Sequence, residues 1–178
     1  MVGNHDEKSN VRSFRLSPDT LEKLDQISKK ENTNTNLLVT NVLDTFVSWN
    51  HSAKNVGLID FPMNLITHIF EALPEEKIRE IVENHAKYGV ADIITYVEKD
   101  FSQDTFLKSL EKWLDSNKFH YEKIGGNYLK YVINLNMGAK FSFFFCELVK
   151  QVIENFERSS VKYFIYGQTV EISIHPLV

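Results

Sequence analysis

Val11-Arg12-Ser13-Phe14-Arg15-Leu16 places two guanidinium groups and a hydroxyl within six residues. In an extended chain, successive side chains point to opposite faces. Phe14 and Leu16 then share one face with Arg12, while Ser13 and Arg15 share the other with Val11. A guanidinium offers paired donors in a fixed fork, and a hydroxyl can donate or accept. The chemistry on offer is recognition, with paired donors meeting paired acceptors.

Other reactive residues form no comparable pattern. His68, His85, His120, Cys146 and His175 are the metal-ligand candidates, but they contain neither His-x-His nor His-x-x-x-His spacing. Cys146 lies in a phenylalanine-rich helix and reads as a small core residue. Gly125-Gly126 is an isolated pair, which is too little for a phosphate-binding loop. Carboxylates over residues 75–83 alternate with Lys and Arg, the mark of a solvated helix face. Phe143, Phe144 and Phe145 could line a pocket for an apolar ligand, although core packing is the commoner use of such spacing. No catalytic residue, metal or cofactor is assigned, and the reading is of a protein that is not an enzyme.

The elements that position Arg15 are set by its neighbours. Ser17 suits a helix N-cap and Pro18 the first helical position. Leu21, Leu24 and Ile27 then recur at helical spacing up to Lys29-Lys30-Glu31. Asn32-Thr33-Asn34-Thr35-Asn36 reads as a turn, because Asn tolerates left-handed angles and Asn or Thr can cap the next helix. That second helix, Leu37 to Trp49, is apolar over more than one face. Strand, helix, turn and helix in about 40 residues cannot bury that much surface alone, and a lone strand leaves its backbone groups unpaired. Both problems vanish if two copies pair their strands as an antiparallel ribbon and pack their second helices across a twofold axis.

Residues 11–49 resemble a ribbon-helix-helix domain, the class that includes the Arc, methionine and CopG-type repressors. The resemblance is carried by the alternating strand F-R-L-S, the helix opening P-D-T-L-E-K-L, the Asn/Thr-rich turn and the apolar helix L-L-V-T-N-V-L-D-T-F. It covers about the first quarter of the chain. It implies a homodimer whose paired strands enter the major groove of double-stranded DNA. Ser13, Arg15 and Val11 would then read base edges, Arg15 being suited to guanine. Arg12, Lys29 and Lys30 would contact phosphates, as would Asn34, Thr35 and Asn36 at the start of the second helix, where free N–H groups favour an anion. Phe14, Leu16, Leu38, Val42 and Phe46 would form the dimer core. Residues 1–50 hold six Lys/Arg against seven Asp/Glu, and Asn and Thr fill the turn where the family usually has Gly or a basic residue, so phosphate contacts would depend on backbone amides more than on charge. Nickel-responsive repressors of this class add a metal-sensing domain, but the rest of this chain does not match their pattern.

Residues 1–10 read as a flexible tail and residues 50–60 as a linker. Asp60 and Pro62 open a helix through Leu65, Ile66, Ile69, Phe70 and Leu73. Pro74 breaks it, and another starts at Glu75-Glu76 and runs to about Tyr88, where Gly89 interrupts. Helices are expected over Val90–Val97 and Asp104–Asn117. The period then changes to two. Phe119–Ile124 and Tyr128–Asn136 form a hairpin with a tight Gly125-Gly126 turn. A helix over Lys140–Arg158 and a second hairpin, Val161–Tyr166 with Thr169–Ile174, complete a β-β-α-β-β pattern. The fold class is α+β: an N-terminal ribbon-helix-helix (11–49), then an α+β domain over 61–178 in which one helix lies on a small antiparallel sheet. That domain has a possible sensor or oligomerisation role, with an unknown small-molecule effector.

The net charge of -4 argues against a protein that coats nucleic acid by bulk charge. One cysteine excludes an intrachain disulfide framework and a four-cysteine zinc site. The run MVGNHDEKSN carries no apolar signal segment, and no apolar run reaches the ~18–20 residues of a membrane span. The expectation is a cytoplasmic, sequence-specific DNA-binding regulator, most simply a repressor acting by occlusion. The alternatives are an antitoxin built on the same module, or a dimeric protein–protein scaffold that does not bind DNA.

Overall fold

Ser17 and Pro18 start the first helix, α1 (Pro18–Lys30), as their side chains dictate. Ser17 has an extended backbone (φ -66°, ψ 152°), and its Oγ accepts the Thr20 amide at 3.1 Å. The computed structural model describes residues 12–177. The expected tail, 1–10, and Val11 lie outside the described residues, as does Val178. The chain divides into two units after Asp44.

In the first unit, residues 12–17 are exposed and form no strand. The ribbon expected over 11–16 needs a second copy, and the single chain forms no strand over residues 12–16. A β-strand is defined by its partner, and none of the described strands pairs with this segment. α1 carries Asp19 in its first turn and Lys29 and Lys30 in its last, each sign complementing the helix dipole. Asn32 closes it in the left-handed region (φ 52°). The Thr33 amide donates to Ser28 O at 2.9 Å and the Asn32 amide to Lys29 O at 3.3 Å, the two bonds of a Schellman end. Asn34 then caps α2 (Thr35–Thr45), its Oδ1 accepting the Leu37 amide at 2.8 Å.

In the second unit, a π-helical turn (Phe46–Asn50) and α3 (His51–Asn55) come first. Helix thus occupies half of the stretch expected as a linker over 50–60. Thr45 and Asn50 both have ordinary right-handed helical angles, so no residue there breaks the helical path. Next come α4 (Met63–Ala72) and α5 (Glu75–Asn84). A second π-helical turn (His85–Gly89) leads directly into α6 (Val90–Glu98). Gly89 does not interrupt as expected. Its backbone stays helical (φ -65°, ψ -42°), and a Cβ there would lie 2.3 Å from Nδ1 of His85. The glycine makes room for that imidazole.

α7 (Gln103–Ser116) begins with a capping box between Ser102 and Thr105. The strands β1 (His120–Ile124) and β2 (Leu129–Asn134) precede α8 (Ala139–Glu154), and β3 (Ser159–Tyr166) and β4 (Thr169–Pro176) come after it. The hairpin at Gly125-Gly126 is looser than a two-residue turn: residues 125–128 connect the strands, and neither glycine is left-handed. The second hairpin does turn at Gly167 (φ 64°). All pairings are antiparallel, in the order β1-β2-β4-β3.

The sheet shows the alternation of one buried and one open face. Tyr131, Ile133, Val170, Ile172 and Ile174 are buried, while Lys162, Phe164 and Tyr166 alternate outward on β3. α8 packs on this sheet and also against α4 and α5. Its Phe145, Val149, Val152 and Ile153 join Leu110 and Leu114 of α7 in one apolar core. The observed class is α+β, with the sheet confined to residues 120–176. No helix among the described residues is long and apolar enough to cross a membrane.

Candidate functional site

The first unit presents the residues expected to contact DNA on an open surface. Arg12, Ser13, Phe14, Arg15 and Leu16 are all exposed, as are Lys29, Lys30, Asn34 and Asn36. Their surroundings differ in one respect from the expectation. Thr35 Oγ1 donates to the Asp25 carboxylate at 2.6 Å and lies 3.2 Å from Ser28 Oγ, and Ser28 in turn donates to Asp25 O at 3.0 Å. The Thr35 hydroxyl is thus committed inside the unit, and Asn34 Oδ1 is committed to its own helix. Backbone amides at the start of α2 and the Lys29 and Lys30 ammonium groups remain as anion donors, but Asp25 sets a negative charge beside them.

The apolar residues of this unit are poorly covered. Phe14 is 73% exposed and Val42 55%, and Leu16, Leu21, Ile27, Leu37 and Leu43 are also exposed. Phe46, at the start of the π-helical turn, is exposed as well. Of the expected dimer core, Leu38 alone is buried within the single chain.

The metal-ligand candidates are dispersed. Cys146 is fully buried, and burial together with the neighbouring Glu147 carboxylate pushes its thiol up to about 12. His85 packs over Gly89, and the His175 ring stacks on Tyr128 with centroids 4.7 Å apart. Among the described residues, no group of three or more His, Cys, Asp or Glu is gathered to hold a metal.

Two carboxylates in the second unit, buried Glu147 and half-buried Glu111, serve as structural anchors. Glu147 on α8 accepts the hydroxyl of Tyr163 and a guanidinium N–H of Arg79 at 3.1 Å. The Arg79 guanidinium also lies 4.6 Å over the Phe143 ring. Glu111 accepts the Tyr131 hydroxyl at 2.5 Å and Lys123 Nζ at 2.7 Å. Burial, followed by these carboxylate bonds, raises both phenols well above their ordinary range. Each tyrosine stays a donor, which is what a carboxylate partner requires.

Two of the clefts in the second unit, both open to solvent, share part of their walls. One, of about 400 Å³, is bordered by polar Asn50, Lys54 and Asp60 as well as by aromatic rings. The other, of about 160 Å³, is almost wholly apolar, with Ile94, Phe106 and Phe145 in its wall. Trp49, Leu58, Trp113 and Phe141 border both. Phe144 and Phe145 thus do line a cavity, whereas Phe143 does not. Sequence reasoning missed this place because its walls come from distant segments.

Comparison with protein-family models, curated proteins and solved structures finds no match.

Proposed function

We propose that this chain is a homodimeric, sequence-specific DNA-binding regulator that reads the major groove with a ribbon made from residues 11–16 of two copies. One observation carries the reading: segment 12–17 is exposed and without a strand partner, and it keeps Phe14 and Leu16 in water beside Ser13 and Arg15. Pairing two such segments would satisfy their backbone groups and cover both apolar side chains together. The same pairing would turn Ser13 and Arg15 outward, where a guanidinium fork matches the O6/N7 edge of guanine. Lys29, Lys30 and the first amides of α2 would hold phosphates on either side. A repressor acting by occlusion in the cytoplasm is the simplest outcome of this reading.

A second reading has its own observation. Asp25 lies beside the start of α2, where a phosphate would sit, and its charge opposes that contact. A module that only dimerises, serving as a protein–protein scaffold, would suffer no such conflict.

Selection of bound fragments from random duplex DNA separates the two. The regulator enriches paired half-sites, loses affinity steeply with salt, and loses its sequence preference in Arg15→Ala. A dimer in sedimentation that enriches no fragment favours the scaffold. A strict monomer at high concentration removes both readings.

A further inference from the structure

β3 ends the sheet on one side, and none of the described strands pairs with its outer edge. Edge strands are usually blunted by shortness, charge, proline, a bulge or a cover. β1, at the opposite edge, has five residues, and Glu122 and Lys123 charge it. β3 has eight residues, no proline and one charge, Lys162. Its register with β4 runs unbroken from Ser159 to Tyr166, so no bulge turns it away. Phe164 is 56% exposed and Tyr166 65%, and their rings lie on the open face with centroids 6.4 Å apart.

The hairpin decides which backbone groups this edge offers. Tyr166 and Thr169 flank a two-residue turn, so they form a hydrogen-bonded pair. Alternation then directs the N–H and C=O of Lys162 and Phe164 at β4, and those of Tyr163 and Ile165 away from it. Two bonds fix the same phase. The Leu177 amide donates to Arg158 O at 2.9 Å, continuing the ladder. The Val161 amide donates outside the ladder, to Glu154 Oε1 at 3.0 Å. Glu154 therefore caps one end of the open edge, and Gly167, left-handed in the turn, ends the other. Between them, the four backbone groups of Tyr163 and Ile165 have no bonding partner among the described residues.

That short open stretch is self-complementary. An antiparallel twofold pair centred on Phe164 sets Tyr163 of each copy against Ile165 of the other and bonds all four groups of both chains. Centring on Tyr163 would need the Val161 amide that Glu154 already holds, and centring on Ile165 would need the turn at Gly167. The same register places the two Phe164 rings opposite each other across the axis, in the closer, non-hydrogen-bonded type of pair. It also sets Lys162, the one charge of the strand, beside the ring of Tyr166, a cation–π match made twice with no like charges opposed.

We propose that β3 is a second self-association edge, joining two copies of this chain through Phe164 into one continuous eight-stranded sheet. Every residue of the contact lies after Asp44, so the edge belongs to the second unit and does not depend on the DNA reading. The contact is small, with one aromatic pair and two bonded residue pairs at its centre, and falls in the weak, reversible class.

The test uses the full chain carrying Phe14→Glu, so that pairing through the first unit does not contribute. Sedimentation equilibrium from about 10 µM to about 1 mM shows a monomer becoming a dimer with Kd about 0.1 mM. Adding Phe164→Lys, which opposes two like charges at the axis, raises that Kd at least about tenfold. Phe164 is exposed, so the variant folds, which circular dichroism checks. Cysteine pairing reads the register. In the same background under oxidising glutathione, Phe164→Cys gives a disulfide-linked dimer. Lys162→Cys and Tyr166→Cys each stay monomeric, because like positions lie four residues apart along the pair, whereas the double variant with both cysteines links. Cys146 is buried and takes no part.

A chain that stays monomeric to about 1 mM overturns the proposal. Association that Phe164→Lys leaves unchanged also overturns it, as does linkage through Lys162→Cys alone as fast as through Phe164→Cys. Failure of DNA selection with a positive result here removes only the DNA reading.

Discussion

Thr35 Oγ1 donates to the Asp25 carboxylate at 2.6 Å and so ties the first residue of α2 to the last turns of α1. That bond orders the helix pair, yet it also sets a fixed negative charge at the helix end that an anion would approach. Asp25→Asn keeps an acceptor for Thr35 while removing the charge. The expected outcome is tighter binding to duplex DNA of any sequence, by about two- to fivefold at low salt, with base preference unchanged. Fluorescence anisotropy over a salt series measures it.

Phe14 is 73% exposed in the single chain, an unfavourable position for a large apolar side chain. Phe14→Glu puts a charge where two copies would meet. Sedimentation equilibrium is expected to show the wild-type chain as a dimer at micromolar concentration. The variant should dissociate at least about 30-fold more readily, the scale of losing a buried aromatic anchor.

Glu98 is enclosed at the end of α6, where it accepts Lys108 Nζ at 2.6 Å and Lys112 Nζ at 2.7 Å. Burial, the largest single influence, would push its carboxyl up, but the hydrogen bonds and charges of the two lysines together outweigh it and hold the carboxyl below its ordinary 4.5. The folded chain therefore binds this proton less readily than the unfolded chain does. The resulting stability is complete above about pH 4.5 and is lost as pH falls through the depressed folded value. Melting curves from pH 7 to pH 3 should fall steeply for the wild type and less steeply for Glu98→Gln.

Glu147 joins three segments, because α8 holds it, Arg79 of α5 donates to it and Tyr163 of β3 does the same. Glu147→Ala leaves a phenol hydroxyl with no acceptor in the interior and frees the guanidinium. A loss of about 2 kcal/mol in urea unfolding is expected, discounted for the exposure of Arg79. Tyr163→Phe should cost less, since Arg79 still pairs with the carboxylate.

Cys146 is fully buried with its thiol pushed up to about 12, so the reactive thiolate is scarce at neutral pH. A thiol reagent such as dithionitrobenzoate should label the native chain only as fast as the second unit opens. In denaturant, the single thiol should react at once.

The elements that could be read from the chain are those set by neighbours a few residues away. Ser17 and Pro18 start α1 by capping, Asn32 ends it by tolerating a left-handed angle, and Asn34 starts α2 by the same side-chain chemistry. The period-two runs marked both hairpins for a similar reason, since alternation alone selects a sheet with one buried face. The chain is less legible where a distant or absent neighbour decides. Gly89 looks like a helix breaker, but the His85 ring needs its missing Cβ, and the helical path continues. Residues 51–55 are polar and small, and they form a helix because nothing in them forbids one. Residues 12–16 alternate like a strand, but the pairing expected of them needs a second copy, and within the single chain they have no strand partner.

What the amino-acid order determined by itself is local: where helices begin and end, which stretches are extended, which faces are apolar, and hence the α+β class. Capping bonds and side-chain alternation act over one or two turns of chain, so a short window of sequence contains their full cause. What only the tertiary structure decided is which remote segments meet. It placed β2 beside β4, closed Arg79 and Tyr163 onto Glu147, and brought Trp49 and Trp113 to the rim of the same cavities. Such meetings depend on how the whole core packs, because many residues must lose their freedom together before any one of these contacts can form.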